Sequence, residues 1–216
     1  MKNSIYFLFL LLMVGCSKES KTNSEILPEV STTVIANDSL KNFKNESENL
    51  RKEETLKRLN NEILSTLKSK DYEGFSNYIH PEKGITFSMY SYINLKKDKH
   101  FSREEFDQYI AKDTQFTWGH QDGTGDLLVF PIKDYLAEWV FKRNFKNAEF
   151  YFNEFKGTGN TINNIRKTYP NALFTENFIP GTEIYSGMDW NSLIFVFDEY
   201  NGTYYLIAVA NNSWTT

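Results

Sequence analysis

Cysteine is all but absent. A single Cys16 in 216 residues excludes a disulfide framework and any thiolate metal cage. Histidine is scarce as well: His80, His100 and His120 stand far apart, and no H-E-x-x-H, H-x-H or Cys/His cluster offers ligand spacing, so no metal is expected. No G-x-S-x-G elbow presents a serine nucleophile. Gly123-Thr124-Gly125 and Gly157-Thr158-Gly159 do not extend to G-x-G-x-x-G or a P-loop, so no nucleotide cofactor is expected, and these glycines read as turn residues tolerating positive φ. Neither sign of charge dominates. With 24 Lys+Arg against 28 Asp+Glu the net charge is −4, which excludes a general nucleic-acid binder needing a basic face.

Long hydrophobic runs are missing too, with one short exception at the start. Lys2 is followed by an unbroken apolar stretch over residues 5–14. Ten helical residues rise about 15 Å, half of a hydrocarbon core of about 30 Å, so this is the h-region of a signal peptide and not a membrane span. Leu12-Met13-Val14-Gly15-Cys16 then resembles a bacterial lipobox, with a small residue just ahead of the cysteine. The resemblance implies cleavage after residue 15 and a lipid anchor on Cys16, whose two or three acyl chains hold far better than one. Loss of residues 1–15 removes only Lys2 among charged groups, taking the net charge from −4 to −5. Ser17, not Asp, follows the cysteine, which favours the outer membrane in a cell with two membranes.

What is abundant is aromatic: 4 Trp, 13 Tyr and 18 Phe. Their distribution divides the mature chain. Residues 17–49 hold only Phe43, cannot bury enough apolar area to offset ordering entropy, and read as a tether with a weak strand signal over 30–35. Residues 16–46 are thus taken as lipidated cysteine and tether, and 47–216 as one domain.

Within that domain Leu56, Leu59, Ile63 and Leu67 make one apolar stripe of a helix over 47–69. Asp71 caps a second helix with Phe75, Tyr78 and Ile79, and Ile85, Phe87 and Met89 alternate as a strand. Ser102-Arg103-Glu104-Glu105 is a capping box, with Phe101 and Phe106 as its hydrophobic staple. Residues 115–118 and 127–130 flank a turn as a hairpin. Pro131 opens a helix carrying Trp139, strands follow near 148–155 and 174–178, and a short helix over 160–169 lies between them. Finally Asn201-Gly202 joins two near-continuous apolar runs, the strongest short hairpin signal, and marks that pair as central and covered. Helices first, then mostly antiparallel strands with helices interspersed, predict an α+β fold with the N-terminal helices on a curved sheet. The order resembles the NTF2-like cone, in which sheet and first helix enclose a pocket.

Candidate site residues are few. Asp189, ahead of the most buried run, either caps a turn through the N–H two residues on or lines a pocket. His80, before Pro81, either bonds a free carbonyl at a helix end or reaches a pocket. Trp118 and Trp190 lie at strand ends, where a ring packs the rim or stacks on a sugar, while Trp139 sits on a core stripe. Asp122 and Asp126 bracket a turn without the ladder of a calcium loop.

Trp118-Gly119-x-x-Asp122-Gly123-Thr124-Gly125, Gly157-x-Gly159-Asn160-Thr161-x-x-Asn164, Tyr169-Pro170-Asn171-Ala172 and Gly187-Met188-Asp189-Trp190-x-Ser192-Leu193 together resemble a family of secreted bacterial lipoproteins. The resemblance spans roughly residues 55–216, implies one extracytoplasmic domain, and transfers no catalytic residue. The expectation is a non-catalytic, lipid-anchored envelope protein binding a small molecule, glycan or protein through Trp118, Asp189, Trp190 and His80. Two rivals remain: a hydrolase of cell-wall or imported polymer using Asp189 and His80 as acid and base, and a structural envelope component.

Overall fold

The computed structural model describes the backbone from Thr32 to Thr215 and side chains from Lys44 onward. The leader, Cys16 and the first part of the tether lie outside the described residues. The compact unit begins at Lys44.

Helix α1 runs Thr32–Ser69. It starts well before residue 47, and the end of the stretch given a weak strand signal is helical. Once a nucleus exists, each further residue adds one hydrogen bond, so a helix anchored by packing propagates into polar sequence free of Pro and Gly. Its packed part is the expected stripe, Leu56, Ile63, Leu64 and Leu67 being buried with Leu59 partly so. Asp71 accepts from Gly74 N–H and caps α2 (Tyr72–Ser76). Helix α3 (Arg103–Ile110) carries the full capping box, Ser102 and Glu105 each satisfying the other's backbone N–H, with Phe101 and Phe106 buried as the staple requires.

The strands are β1 (Ile85–Ser88), β2 (Lys99–Phe101), β3 (Phe116–His120), β4 (Leu127–Phe130), β5 (Glu149–Phe152), β6 (Leu173–Ile179), β7 (Asn191–Tyr200) and β8 (Thr203–Ser213). Six form one sheet in the order β2-β1-β8-β7-β6-β5, and β3–β4 form a separate hairpin. Every pairing is antiparallel except β1 with β8. The fold is therefore α+β with a mostly antiparallel sheet, as the element order implies.

Both faces of the sheet are covered. Along β7, Leu193, Phe195 and Phe197 enter the main core beneath the helices, while Ile194 and Val196 enter a second cluster with Ile93, Ile165 and Phe174. That explains why β7 reads as a continuous apolar run. Asn201 (φ 51°) and Gly202 (φ 76°) close the β7–β8 hairpin in the doubly left-handed conformation that suits a two-residue turn. Opposite Val196 and Phe197, β8 carries Ala208 and Leu206, leaving Ile207 as the extra residue of a bulge.

Two predicted helices are shorter than their apolar spacing suggests. Pro131 is an N-cap to α4 (Ile132–Tyr135), and the next turn, Leu136–Val140, is π-helical. Helix α5 covers only Ile165–Thr168, because the residues before it are held as a loop against the sheet and Asn163 Oδ1 accepts from Ile165 N–H.

Candidate functional site: an aromatic cleft at one end of the sheet

Strands β1 and β8 end, and β7 begins, at the same end of the sheet: Ser88 lies opposite Ala210, and Asn191 opposite Ser213. The chain leaving β1 carries Tyr90, the chain leaving β8 carries Trp214, and the π-helical turn carries Trp139. These rings, with Asp122, Ser213 and Thr215, line a cleft of about 270 Å³.

Each wall is pinned by backbone hydrogen bonds. The Trp139 indole N–H donates to the Met89 carbonyl at 3.1 Å, and its ring meets Tyr90 edge-on, centroids 5.8 Å apart. The Tyr90 hydroxyl accepts from Asp122 N–H at 2.7 Å, tying the β3–β4 turn to the cleft. Within that turn Gly123 (φ 82°) and Gly125 (φ 74°) do adopt the left-handed conformation. On the other side, Asn160 clamps the chain end: its Oδ1 accepts from Thr215 N–H at 3.1 Å and from the Thr215 hydroxyl at 2.8 Å, while its amide donates to the Thr215 carbonyl. Trp214, held between Ser213 and this clamp, is 43% exposed. Lys142 places its ammonium 4.9 Å from the centre of the Trp139 ring and covers one side of that indole.

Beneath the clamp lies the loop starting at Gly157. A Cβ on Gly157 would lie 2.5 Å from Trp190 Cζ3, 2.8 Å from Ser192 Oγ and 3.0 Å from Glu176 Oε1. One on Gly159 would meet Trp190 Cζ2 at 3.0 Å. Neither glycine has a positive φ, so the G-x-G pair serves close approach of the backbone to Trp190 and not a left-handed turn, correcting the sequence reading. Glu176 is fully buried and accepts from Lys156 and Gly157 N–H.

Burial pushes the Glu176 carboxyl above its ordinary range, outweighing the Ser192 hydroxyl and the two N–H groups that favour its charged form. A raised acid pKa means that the folded state binds the proton more tightly than the unfolded chain. The resulting stability is fully present below the unfolded value near 4.5 and is lost as pH rises through the folded value. Glu176→Gln, neutral throughout, should flatten this slope in urea unfolding as pH rises above the unfolded value near 4.5. The difference between parent and variant isolates Glu176 from His80, whose lowered pKa acts in the opposite direction. An unchanged slope would remove Glu176 as its source.

The residues singled out in sequence do not meet in this cleft. Trp118 is 5% exposed, stacks on Tyr135 at 3.6 Å, and donates to the Phe130 carbonyl, deep in the main core. Trp190 is 6% exposed and forms the floor under Gly157 and Gly159. Asp189 accepts from Thr182 N–H at 2.6 Å and from the Thr182 hydroxyl at 3.0 Å, closing the neck of the β6–β7 loop. It reaches back to Thr182 instead of forward two residues, and the Thr182 N–H holds its carboxyl below the usual range.

His80 is 1% exposed at the other end of the sheet. Its Nδ1 accepts from Glu82 and Lys83 N–H at 3.1 and 2.9 Å, so it organises a turn as an acceptor and does not donate to a helix-end carbonyl. Its Nε2 lies 3.8 Å from Asp198, and burial lowers its pKa. Asp198 and Asp189 are nine residues apart across the length of β7, about 30 Å at 3.3 Å per residue. Asp189 and His80 therefore form no acid–base pair. Among the described residues, no three His, Cys, Asp or Glu side chains cluster as a metal site, and no helix is long and apolar enough to cross a membrane.

Sequence reasoning missed Tyr90, Trp139 and Trp214 as cleft walls. The signal lay in the motifs that hold them: Asp122 of the first and Asn160 of the second both bond directly to the cleft. No protein-family model matches the chain, and no curated protein matches it as a relative.

Proposed function

We propose that the protein is a lipid-anchored component of the bacterial envelope, held through Cys16 on the extracytoplasmic side, whose α+β domain binds a saccharide ring at the aromatic cleft without catalysis. The lipobox-like leader supports the address, and the motif resemblance to secreted lipoproteins agrees with it. The observation that carries the binding reading is the cleft's composition and fixation: three aromatic rings, one carboxylate and two hydroxyl-bearing residues, on walls tied by Asn160 and the Tyr90–Asp122 bond. Rings supply apolar stacking faces, while hydroxyl and carboxylate groups exchange hydrogen bonds with sugar hydroxyls. A volume of about 270 Å³ suits one ring and not an extended polymer. The six-stranded order, with α1 on one face, supports an NTF2-like cone as part of this proposal.

Titration of the chain from Ser17 onward with mono- and disaccharides, including peptidoglycan fragments, followed by tryptophan fluorescence, tests the reading. Trp214→Ala should weaken binding about tenfold, the equivalent of 1.4 kcal/mol, without lowering the melting temperature, since Trp214 is exposed. A blank across the panel, or equal affinity in the variant, overturns the cleft; a stable complex with another envelope component would then favour the structural role.

A further inference from the structure

A second surface has a different character. The loop after β1 and the segment opening α5 are locked together by Asn164, whose Oδ1 accepts from Ile93 N–H at 2.7 Å and whose amide donates to the Ile93 carbonyl at 2.9 Å. Between them lies a hollow of about 590 Å³. Its rim exposes Tyr92 (51%), Leu95 (59%) and Ile162 (71%), large apolar groups that burial elsewhere in the domain would absorb. Lys96 and Lys167 line the same hollow; among the described residues neither makes an ion pair and no carboxylate lines it. The one carboxylate of the β1–β2 loop, Asp98, is turned back to accept from Asn94 N–H. On a chain of net charge −4, this is a local reversal of sign.

We infer that this face docks on an anionic bilayer, Lys96 and Lys167 meeting headgroup phosphate while Tyr92, Leu95 and Ile162 enter the headgroup boundary. The combination is that of an interfacial surface: apolar groups that gain by leaving water, an aromatic ring with a polar tip, and lysines long enough to reach phosphate. A second copy of the chain fits poorly, because a two-fold contact sets the patch against itself and brings like charges together. Preorganisation helps, since the Asn164 clamp already holds both loops and little ordering remains on contact. The inference rests on this surface alone, and neither on a lipid at Cys16 nor on the saccharide cleft.

The test uses the unlipidated chain from Ser17 to Thr216, which keeps every core side chain from Leu56 onward. It is co-sedimented at low salt with vesicles of phosphatidylcholine containing phosphatidylglycerol, and with phosphatidylcholine alone. Binding is expected only to the anionic vesicles. Lys96→Gln should weaken it about fivefold and Lys96→Gln/Lys167→Gln about 25-fold, the factor for roughly 1 kcal/mol per basic residue near the surface. Leu95→Ser/Ile162→Ser should weaken binding while leaving its salt dependence intact. All variants change exposed side chains, and an unchanged near-UV circular dichroism spectrum confirms their fold. Absence of binding, equal binding to both vesicle types, or variants that bind like the parent overturns the inference. So does a dimer without vesicle binding, or glycerol phosphate raising the melting temperature while vesicles stay unbound.

Discussion

Trp118→Ala should lose about 3–5 kcal/mol of unfolding free energy, the range for deleting a large aromatic side chain from a packed core. The indole is sandwiched flat on Tyr135, with 5° between the ring planes, and Phe87 meets it edge-on at 6.1 Å. Removing it opens a void that Tyr135, itself fully buried at the start of the π-helical turn, cannot fill without leaving its own packing. It also strips the Phe130 carbonyl of its donor, at the junction where β4 enters α4. At about 2–4 °C per kcal/mol for a domain of this size, the melting temperature should fall by roughly 6–20 °C. Trp118→Phe keeps much of the stacking area while losing the hydrogen bond and part of the ring packing, so its cost should be smaller, about 1–3 kcal/mol. Denaturant unfolding of both variants separates packing from hydrogen bonding. Saccharide affinity measured well below the melting point should be unchanged in Trp118→Phe, because Trp118 does not line the cleft. A stable Trp118→Ala with lost affinity would reverse the assignment and return this residue to the binding role that its place at a strand end suggested.

The contrast between Trp118 and Trp214 shows where the sequence was readable. Features decided within a few residues are legible: the capping box at Ser102, the Asp71 cap and the Asn201-Gly202 turn all stand as their local chemistry requires. Burial of β7 on both faces is legible too, because a continuous apolar run needs two covers. What was illegible depends on partners distant in sequence. Nothing near Thr86 announces its parallel pairing with Ala208, and nothing near Asp189 says that its carboxylate turns back to Thr182. Trp139 occupies an apolar helical stripe, yet that stripe ends in a π-helical turn at the end of the sheet, so its ring becomes a cleft wall. Gly157 and Gly159 carry no local mark separating a turn from a close approach. Only the position of Trp190 decides it.

The same limit applies to the polar link between α1 and the sheet, where Asn60→Ala should cost about 3–5 kcal/mol. Asn60 lies on the apolar stripe of α1 and is 1% exposed. Its amide donates to Asn177 Oδ1 at 2.8 Å, and its Oδ1 accepts from the Thr175 hydroxyl at 2.8 Å and from the Asn177 amide at 2.9 Å. Thr175 and Asn177, 0% and 2% exposed, are successive inward positions of β6, so one asparagine on the helix satisfies two polar side chains on the strand, a threonine and an asparagine. Truncating it leaves their donors and acceptors unmet in the core at about 1–3 kcal/mol each, less whatever the Asn177 bond to the Leu193 carbonyl retains. Asn60→Leu should be nearly as damaging despite filling the space, because unmet polarity and not volume dominates. Replacing all three together, Asn60→Leu/Thr175→Val/Asn177→Leu, should recover most of the loss, as matched apolar replacement of both sides of a hydrogen bond often does. Urea unfolding of the single, paired and triple variants gives the coupling energies directly. Recovery in the triple variant together with a shift of α1 on β6, read from hydrogen exchange along α1, would mean that the network sets helix register more than stability. Additive losses would mean that the three side chains do not act as one unit, contrary to the bonding around Asn60.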